Sequence, residues 1–143
     1  MRDEALPTRD GYAHFDRIET RWADNDVYGH VNNVVYYAYF DTVINRVLTA
    51  AGLDPATSPV IGLCVESGCR YVAPATYPET LDAGLRVAKL GRSSVRYELG
   101  IFRDETLCAF GHFVHVFVDR ASRRPAPLPE AIRAALEPML RQG

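Results

Sequence analysis

Hydrophobic positions change their period twice along this chain. Residues 15–22, FDRIETRW, alternate apolar and polar side chains, as a half-buried strand does. The next stretch, ADNDVYGHVNN, has no period and is dense in Asp, Asn and Gly, so it reads as a loop. Asn32 or Asn33 is the candidate N-cap of a helix. From Val34 the apolar residues recur four apart at Val35, Tyr39, Val43 and Val47, with Tyr36, Phe40, Ile44 and Leu48 beside them. That spacing predicts a helix of about 18 residues, apolar over well more than half its surface and terminated at Gly52. Period two then returns. Residues 60–73 are β-rich up to Pro74 and Pro78, residues 80–90 alternate Leu81, Ala83, Leu85 and Val87, and Gly91 turns the chain. Residues 93–103 alternate Val95, Tyr97, Leu99 and Ile101, and Asp104-Glu105 makes a hairpin to a final strand over 106–119, with Gly111 at a candidate bulge. Pro129 opens a short C-terminal helix over 129–141, whose end Pro138 disturbs.

One strand, one long helix and four consecutive strands joined by short turns favour an antiparallel sheet. A single apolar helix has to bury itself against the face of that sheet. The expected fold is therefore α+β, an antiparallel sheet of about five strands wrapped around one long central helix. No internal repeat or low-complexity tract interrupts it. Residues 1–143 read as one domain, with residues 1–14 as a loose N-terminal arm.

Composition narrows the class of partner. With 143 residues, 48% hydrophobic and 24% charged, the chain can bury one sizeable core. A net charge of −2, with both signs mixed along the sequence, gives no electrostatic reason to expect nucleic acid. No run approaches the roughly 20 apolar residues that span a bilayer, and MRDEALPTRDGY lacks the apolar core of a secretory signal, so a cytoplasmic location without membrane contact is expected. Cys64, Cys69 and Cys108 are odd in number and scattered, which suggests neither a disulfide framework nor a zinc site. Cys108, in an apolar run, reads as a buried side chain.

Candidate chemistry concentrates in residues 21–33, which pack two carboxylates, an imidazole and several amides into a loop that leads into a helix. A helix start offers free N–H groups and partial positive charge, a suitable electrophile for a carbonyl oxygen. A carboxylate beside it can attack that carbonyl or activate water. Competing readings are that Asp24, Asn25 and Asn32 only satisfy turns and caps, that His30 is structural, and that Asp24, Asp26 and His30 hold a divalent metal.

The segment DNDVYGHVNNVVYYAYFD resembles the signature of the 4-hydroxybenzoyl-CoA thioesterase family, the YbgC-like and acyl-ACP thioesterase-like proteins of the hotdog fold. Tyr71-Val72-Ala73-Pro74-Ala75, Leu90-Gly91-Arg92-Ser93-Ser94-Val95, and Arg123-Arg124-Pro125 followed by Leu128-Pro129 resemble further family stretches in the same order. The resemblance covers about residues 16–136 and implies a thioester hydrolase. It implies Asp26 as the catalytic carboxylate, as nucleophile or as base for water, and Asp24 as structural. It implies a polarising amide near Asn33, a functional His30 and a secondary polar group at Asp41. Tyr28 and Asn32 flank His30 as candidate substrate contacts; Tyr28 stands where the acyl-ACP thioesterases carry an asparagine.

Such chemistry needs a carboxylate and oxyanion donors but no metal or organic cofactor. CoA enters as the substrate's carrier, and its phosphates are expected on Arg92, Arg123 and Arg124, since guanidinium matches phosphate bidentately. Acyl-CoA and acyl-ACP remain alternative substrates. A non-catalytic acyl-CoA-binding protein and a hotdog dehydratase are the rival functions. Sheet edges that need partners, together with the family habit of pairing sheets, imply a homodimer or homotetramer.

Overall fold

The computed structural model describes residues 5–141. Strand β1 (His14–Glu19) is followed by a short 3-10 turn, Trp22–Asp24, and by helix α1 (Val35–Ala50). Strands β2 (Val60–Tyr71), β3 (Thr80–Leu90), β4 (Ser94–Arg103) and β5 (Thr106–Asp119) come next, then helix α2 (Glu130–Leu136). The five strands form one sheet in the order β1-β3-β4-β5-β2. Every pairing is antiparallel, so β1 and β2 are the two edges.

Alternation decides which face packs. Leu81, Ala83, Leu85 and Val87 of β3, and Val95, Tyr97, Leu99 and Ile101 of β4, are all fully buried on the inner face. Helix α1 lays Tyr36, Tyr39, Phe40, Val43, Ile44, Val47 and Leu48 against them in one continuous core. Each such side chain contributes roughly 1.5–3 kcal/mol by leaving water. The helix has 16 residues, slightly shorter than the spacing predicts, and its opposite side, with Asp41, Thr42, Arg46 and Thr49, is exposed. Gly52 ends it at φ 105°, a backbone angle that suits glycine.

Three expectations are corrected. The N-terminal arm is exposed at Ala5, Leu6, Thr8 and Asp10 but is anchored at Tyr12 rather than loose throughout. Tyr12 is buried over Gly84 and Gly100, where a Cβ would come within 2.7 Å of its ring. Arg86 lies 4.8 Å over that ring, and Arg9 lies 4.8 Å over Phe15. Gly111 is not at a bulge: it pairs regularly with Leu99 and Cys69, and the irregularities fall at Cys64/Glu66, Val87/Lys89 and Ile101/Phe102. Its glycine is needed because a Cβ there would sit 2.1 Å from the Gly68 carbonyl. The C-terminal helix stops at Leu136 and continues as a 3-10 turn, Glu137–Met139, where Pro138 cannot donate the next helical hydrogen bond.

Candidate active site

The loop before α1 is built on a buried carboxylate. Asp24 has no exposed surface, and Arg21 caps it from several directions. Its Oδ2 accepts the Arg21 backbone N–H at 2.9 Å and the Tyr39 hydroxyl at 2.7 Å, while Oδ1 accepts Arg21 Nε at 3.0 Å and an Arg21 terminal nitrogen at 2.8 Å. Burial works against the charge, but the bonds from Arg21 and Tyr39 outweigh it and hold the pKa below the ordinary carboxylate value. The loop is also tied to the β2–β3 connection. Asn25 donates to Thr76 Oγ1 and accepts from the Tyr77 N–H, Thr76 Oγ1 donates to the Gly29 carbonyl, and the Val31 N–H donates to the Ala75 carbonyl.

Asp26 occupies a tighter turn. Its carbonyl accepts from Gly29 N–H at 3.1 Å, and Gly29 has φ 83°. Its side-chain Oδ1 accepts the Tyr28 N–H at 2.8 Å. Its other oxygen, Oδ2, accepts no bond from any described residue. Beyond the turn, Asn32 Oδ1 accepts the Val34 N–H and its carbonyl accepts the Val35 N–H, so Asn32 starts the helical turn before α1 proper. The Asn33 N–H, in that turn, has no acceptor among the described residues, while its carbonyl accepts the Tyr71 hydroxyl at 3.0 Å.

Asp26, Tyr28, His30 and Asn33 line one open cavity of about 410 Å³, together with Tyr36, Tyr71, Val72, Ala73 and Pro74. Tyr36 and Tyr71 meet edge-on with centroids 5.5 Å apart and form its aromatic wall. Burial, and then Cys69 beside it, push the Tyr71 phenol above its ordinary pKa. His30 is exposed and its ring bonds to no described residue. Tyr28 is exposed at the rim. The wall from Tyr71 to Pro74 belongs to a stretch that stands out in the sequence. Tyr36 was legible only as an apolar helix position, since nothing in its spacing distinguishes core from cavity.

Other candidates lie elsewhere. Asp41 is exposed two helical turns past Asn33, about 12 Å along the axis, and its Oδ1 accepts from Asn45 Nδ2 at 3.0 Å. Arg92, Arg123 and Arg124 are exposed at the opposite end of the sheet. The Arg123 N–H bonds to Asp119, which pairs with Val60 at the start of β2, and the Arg92 carbonyl accepts from Leu128. The cavity is at the other end of that strand, beside Tyr71. Twelve residues of β2 amount to a separation of roughly 35 Å. Cys108 is fully buried. Among the described residues no helix is long and apolar enough to cross a membrane.

Comparison with known proteins gives this arrangement its context. The family model described as the thioesterase-like superfamily matches residues 20–136. The crystal structure of the PA5185 protein from Pseudomonas aeruginosa strain PAO1 is 51% identical, with 96% of this chain and 98% of that chain covered at a TM-score of 0.92. PA2801, a candidate thioesterase from Pseudomonas aeruginosa, is 31% identical over 87% of this chain and 98% of its own, with a TM-score of 0.82. Slr0204, a 1,4-dihydroxy-2-naphthoyl-CoA thioesterase from Synechocystis, shares the fold at a TM-score of 0.78 and 19% identity, with 85% of this chain and 93% of that one covered.

Proposed function

This chain belongs to the thioesterase-like superfamily, and from that premise we propose that it hydrolyses an acyl-CoA thioester to a free acid and CoA. We read the whole chain as one hotdog unit, its sheet curved about α1. Asp26 is the carboxylate that attacks the thioester carbonyl or draws a proton from water. The Asn33 N–H, at the turn that opens α1, receives the developing oxyanion. His30, at the same cavity, assists by donating to or orienting the reacting groups, and Tyr28 and Asn32 border the substrate.

One observation carries this reading. Among the described residues Asp26 Oδ2 and the Asn33 N–H have no partner, and Asp26 and Asn33 line the same cavity. A base and an oxyanion donor facing one opening are the two parts that thioester hydrolysis requires.

The phosphates of CoA are assigned to Arg92, Arg123 and Arg124. Within one chain these residues stand too far from Asp26. An antiparallel pairing of the β2 edges of two chains removes that difficulty, because it brings the start of one β2 beside the end of the other. The active assembly is therefore a homodimer or a multiple of it, acting in the cytoplasm. The test is a hydrolysis panel read by release of free thiol, with acyl length and the carrier, CoA or acyl-carrier protein, varied. Turnover of at least one acyl-CoA is expected. Binding without thiol release across the panel would sink the hydrolase reading.

A further inference from the structure

Strand β2 presents small side chains to the inner face. Gly62, Cys64, Ser67 and Cys69 stand opposite Phe117, His115, Phe113 and Gly111 of β5, and register partners share a face. None of the four is buried, although Phe113, His115 and Phe117 beneath them are. Across from β2, helix α1 carries Tyr37, Asp41 and Asn45 four apart, in line with Asn33 at the cavity. We read these unburied inner-face residues as the side of an open channel that leads away from Tyr71 at the Asp26 cavity. It runs between α1 and β2 over a floor from β5.

The floor holds a polar pair that the mechanism does not use. His115 is 3% exposed, and its Nδ1 lies 3.1 Å from the hydroxyl of Tyr97, which is fully buried. The ring stands edge-on to Tyr97 and to Phe117. Gly62 leaves space for it, since a Cβ there would come within 3.0 Å of Nδ1. The other ring nitrogen, Nε2, bonds to no described residue. Among the described residues no buried side-chain N or O lacks a partner, so Nε2 reaches an opening. Burial pushes the His115 pKa down to about 4, and Asp41 is near enough to pull against that shift. The imidazole is therefore neutral at pH 7, with Nε2 free to bond a ligand.

We propose that the acyl group lies in this channel and that His115, held by Tyr97, together with Asp41 selects acyl chains bearing a hydroxyl roughly 12 Å from the thioester carbonyl, the rise from Asn33 to Asp41. The proposal rests on the hydrolase reading for where the carbonyl sits. In the tautomer in which Tyr97 donates to Nδ1 and Nε2 carries the proton, a ligand hydroxyl accepts from Nε2–H and donates its one proton to the Asp41 carboxylate. A plain methyl terminus leaves His115 Nε2 without a partner at a nearly buried ring, which is the larger part of the discrimination.

The test is equilibrium titration with two S-alkyl-CoA thioethers of matched length, which cannot be hydrolysed, one ending in methyl and one in hydroxyl. The parent protein is expected to prefer the hydroxyl by about tenfold, the worth of one well-made hydrogen bond. His115→Phe should reduce that preference below about twofold. Asp41→Asn, at an exposed position where folding is not in question, should reduce it about threefold. Equal affinity of the parent for both thioethers, no binding of either, or an unchanged preference in folded variants of both residues would each overturn the proposal. Thiol release from the matching thioesters is measured alongside. A hydroxyl preference without hydrolysis keeps the channel and removes the hydrolase reading; hydrolysis without a preference does the reverse.

Discussion

Two aspartates stand two residues apart in the loop before α1 and do opposite things. Asp24 is sealed, and both its oxygens are committed to Arg21 and Tyr39. Asp26 is half-buried, and among the described residues only its Oδ1 has a partner, the Tyr28 N–H. A carboxylate with every lone pair engaged in a fixed site holds structure and has nothing left for a substrate. One with an unengaged oxygen at a cavity can act on what enters. On the proposed function, the difference divides the loop into an anchor, Asp24, and a working group, Asp26.

The sharpest way to break the comparison is to remove one charge at a time. Asp26→Asn should lower turnover at least 100-fold, since base catalysis is typically worth about 10²–10⁴-fold. KM and the thermal midpoint should barely move, because Asn keeps the bond from Tyr28. Steady-state kinetics with circular dichroism measures both, and near-normal turnover in the folded variant would falsify the division. Asp24→Asn should do the reverse. Loss of charge-assisted bonds in a buried site should cost about 2 kcal/mol of stability, a drop in Tm on the order of 8 °C, with the residual activity tracking the folded fraction. The depressed pKa of Asp24 fixes the sign of the pH dependence. Its contribution is complete above the unfolded carboxylate value of about 4 and is lost as pH falls through the lower folded value. The stability gap between parent and Asp24→Asn should therefore close on acidification.

Spacing alone could not have sorted these two residues. The helix and strands were legible because the period switches from 2 to 3.6 and back, and the bounds of β3 and β5 fell where the alternation ends. The loop was legible as chemistry because of its composition. What seals Asp24, besides Arg21, is Tyr39, fifteen residues on, whose hydroxyl reaches back to it from the helix. Tyr12 on Gly84 and Gly100 was hidden for the same reason, since its partners lie on strands distant in sequence. The distance from Asp26 to Arg123 and Arg124 was likewise invisible until β2 was seen to run the length of the sheet.

His30 sharpens the comparison at smaller scale. It lines the cavity with Asp26 but makes no side-chain bond to a described residue. No described residue fixes its ring as Arg21 fixes Asp24, in keeping with the assisting part proposed for it. His30→Ala should reduce kcat by about tenfold, at the low end of acid–base contributions, and leave the fold intact. A loss as large as that of Asp26→Asn, measured in the same assay, would make the two groups one catalytic unit.

The smallest expected effect concerns the far end of the sheet, and it asks whether the working half of the loop is complete in one chain. Arg123 and Arg124 are exposed and about a β2 length from Asp26. If they hold phosphates of CoA bound at Asp26, the phosphates must be held by the other chain of an edge-paired dimer. Reversing both, Arg123→Glu with Arg124→Glu, should raise KM for acyl-CoA about fivefold with little change in kcat, since exposed charge contacts are individually weak and screened by salt. Mixing chains then separates the two geometries. An Asp26→Asn chain paired with the double-Glu chain rebuilds one intact site if base and arginines come from different chains, because Asp26 of the second then faces Arg123 and Arg124 of the first. If base and arginines act within one chain, every site stays defective. After unfolding and co-refolding, recovery of a low-KM component in the mixture supports the shared site. A mixture whose KM stays at the double-Glu value removes the arginines from the site across the edge, while Asp26 and its free oxygen stand as before.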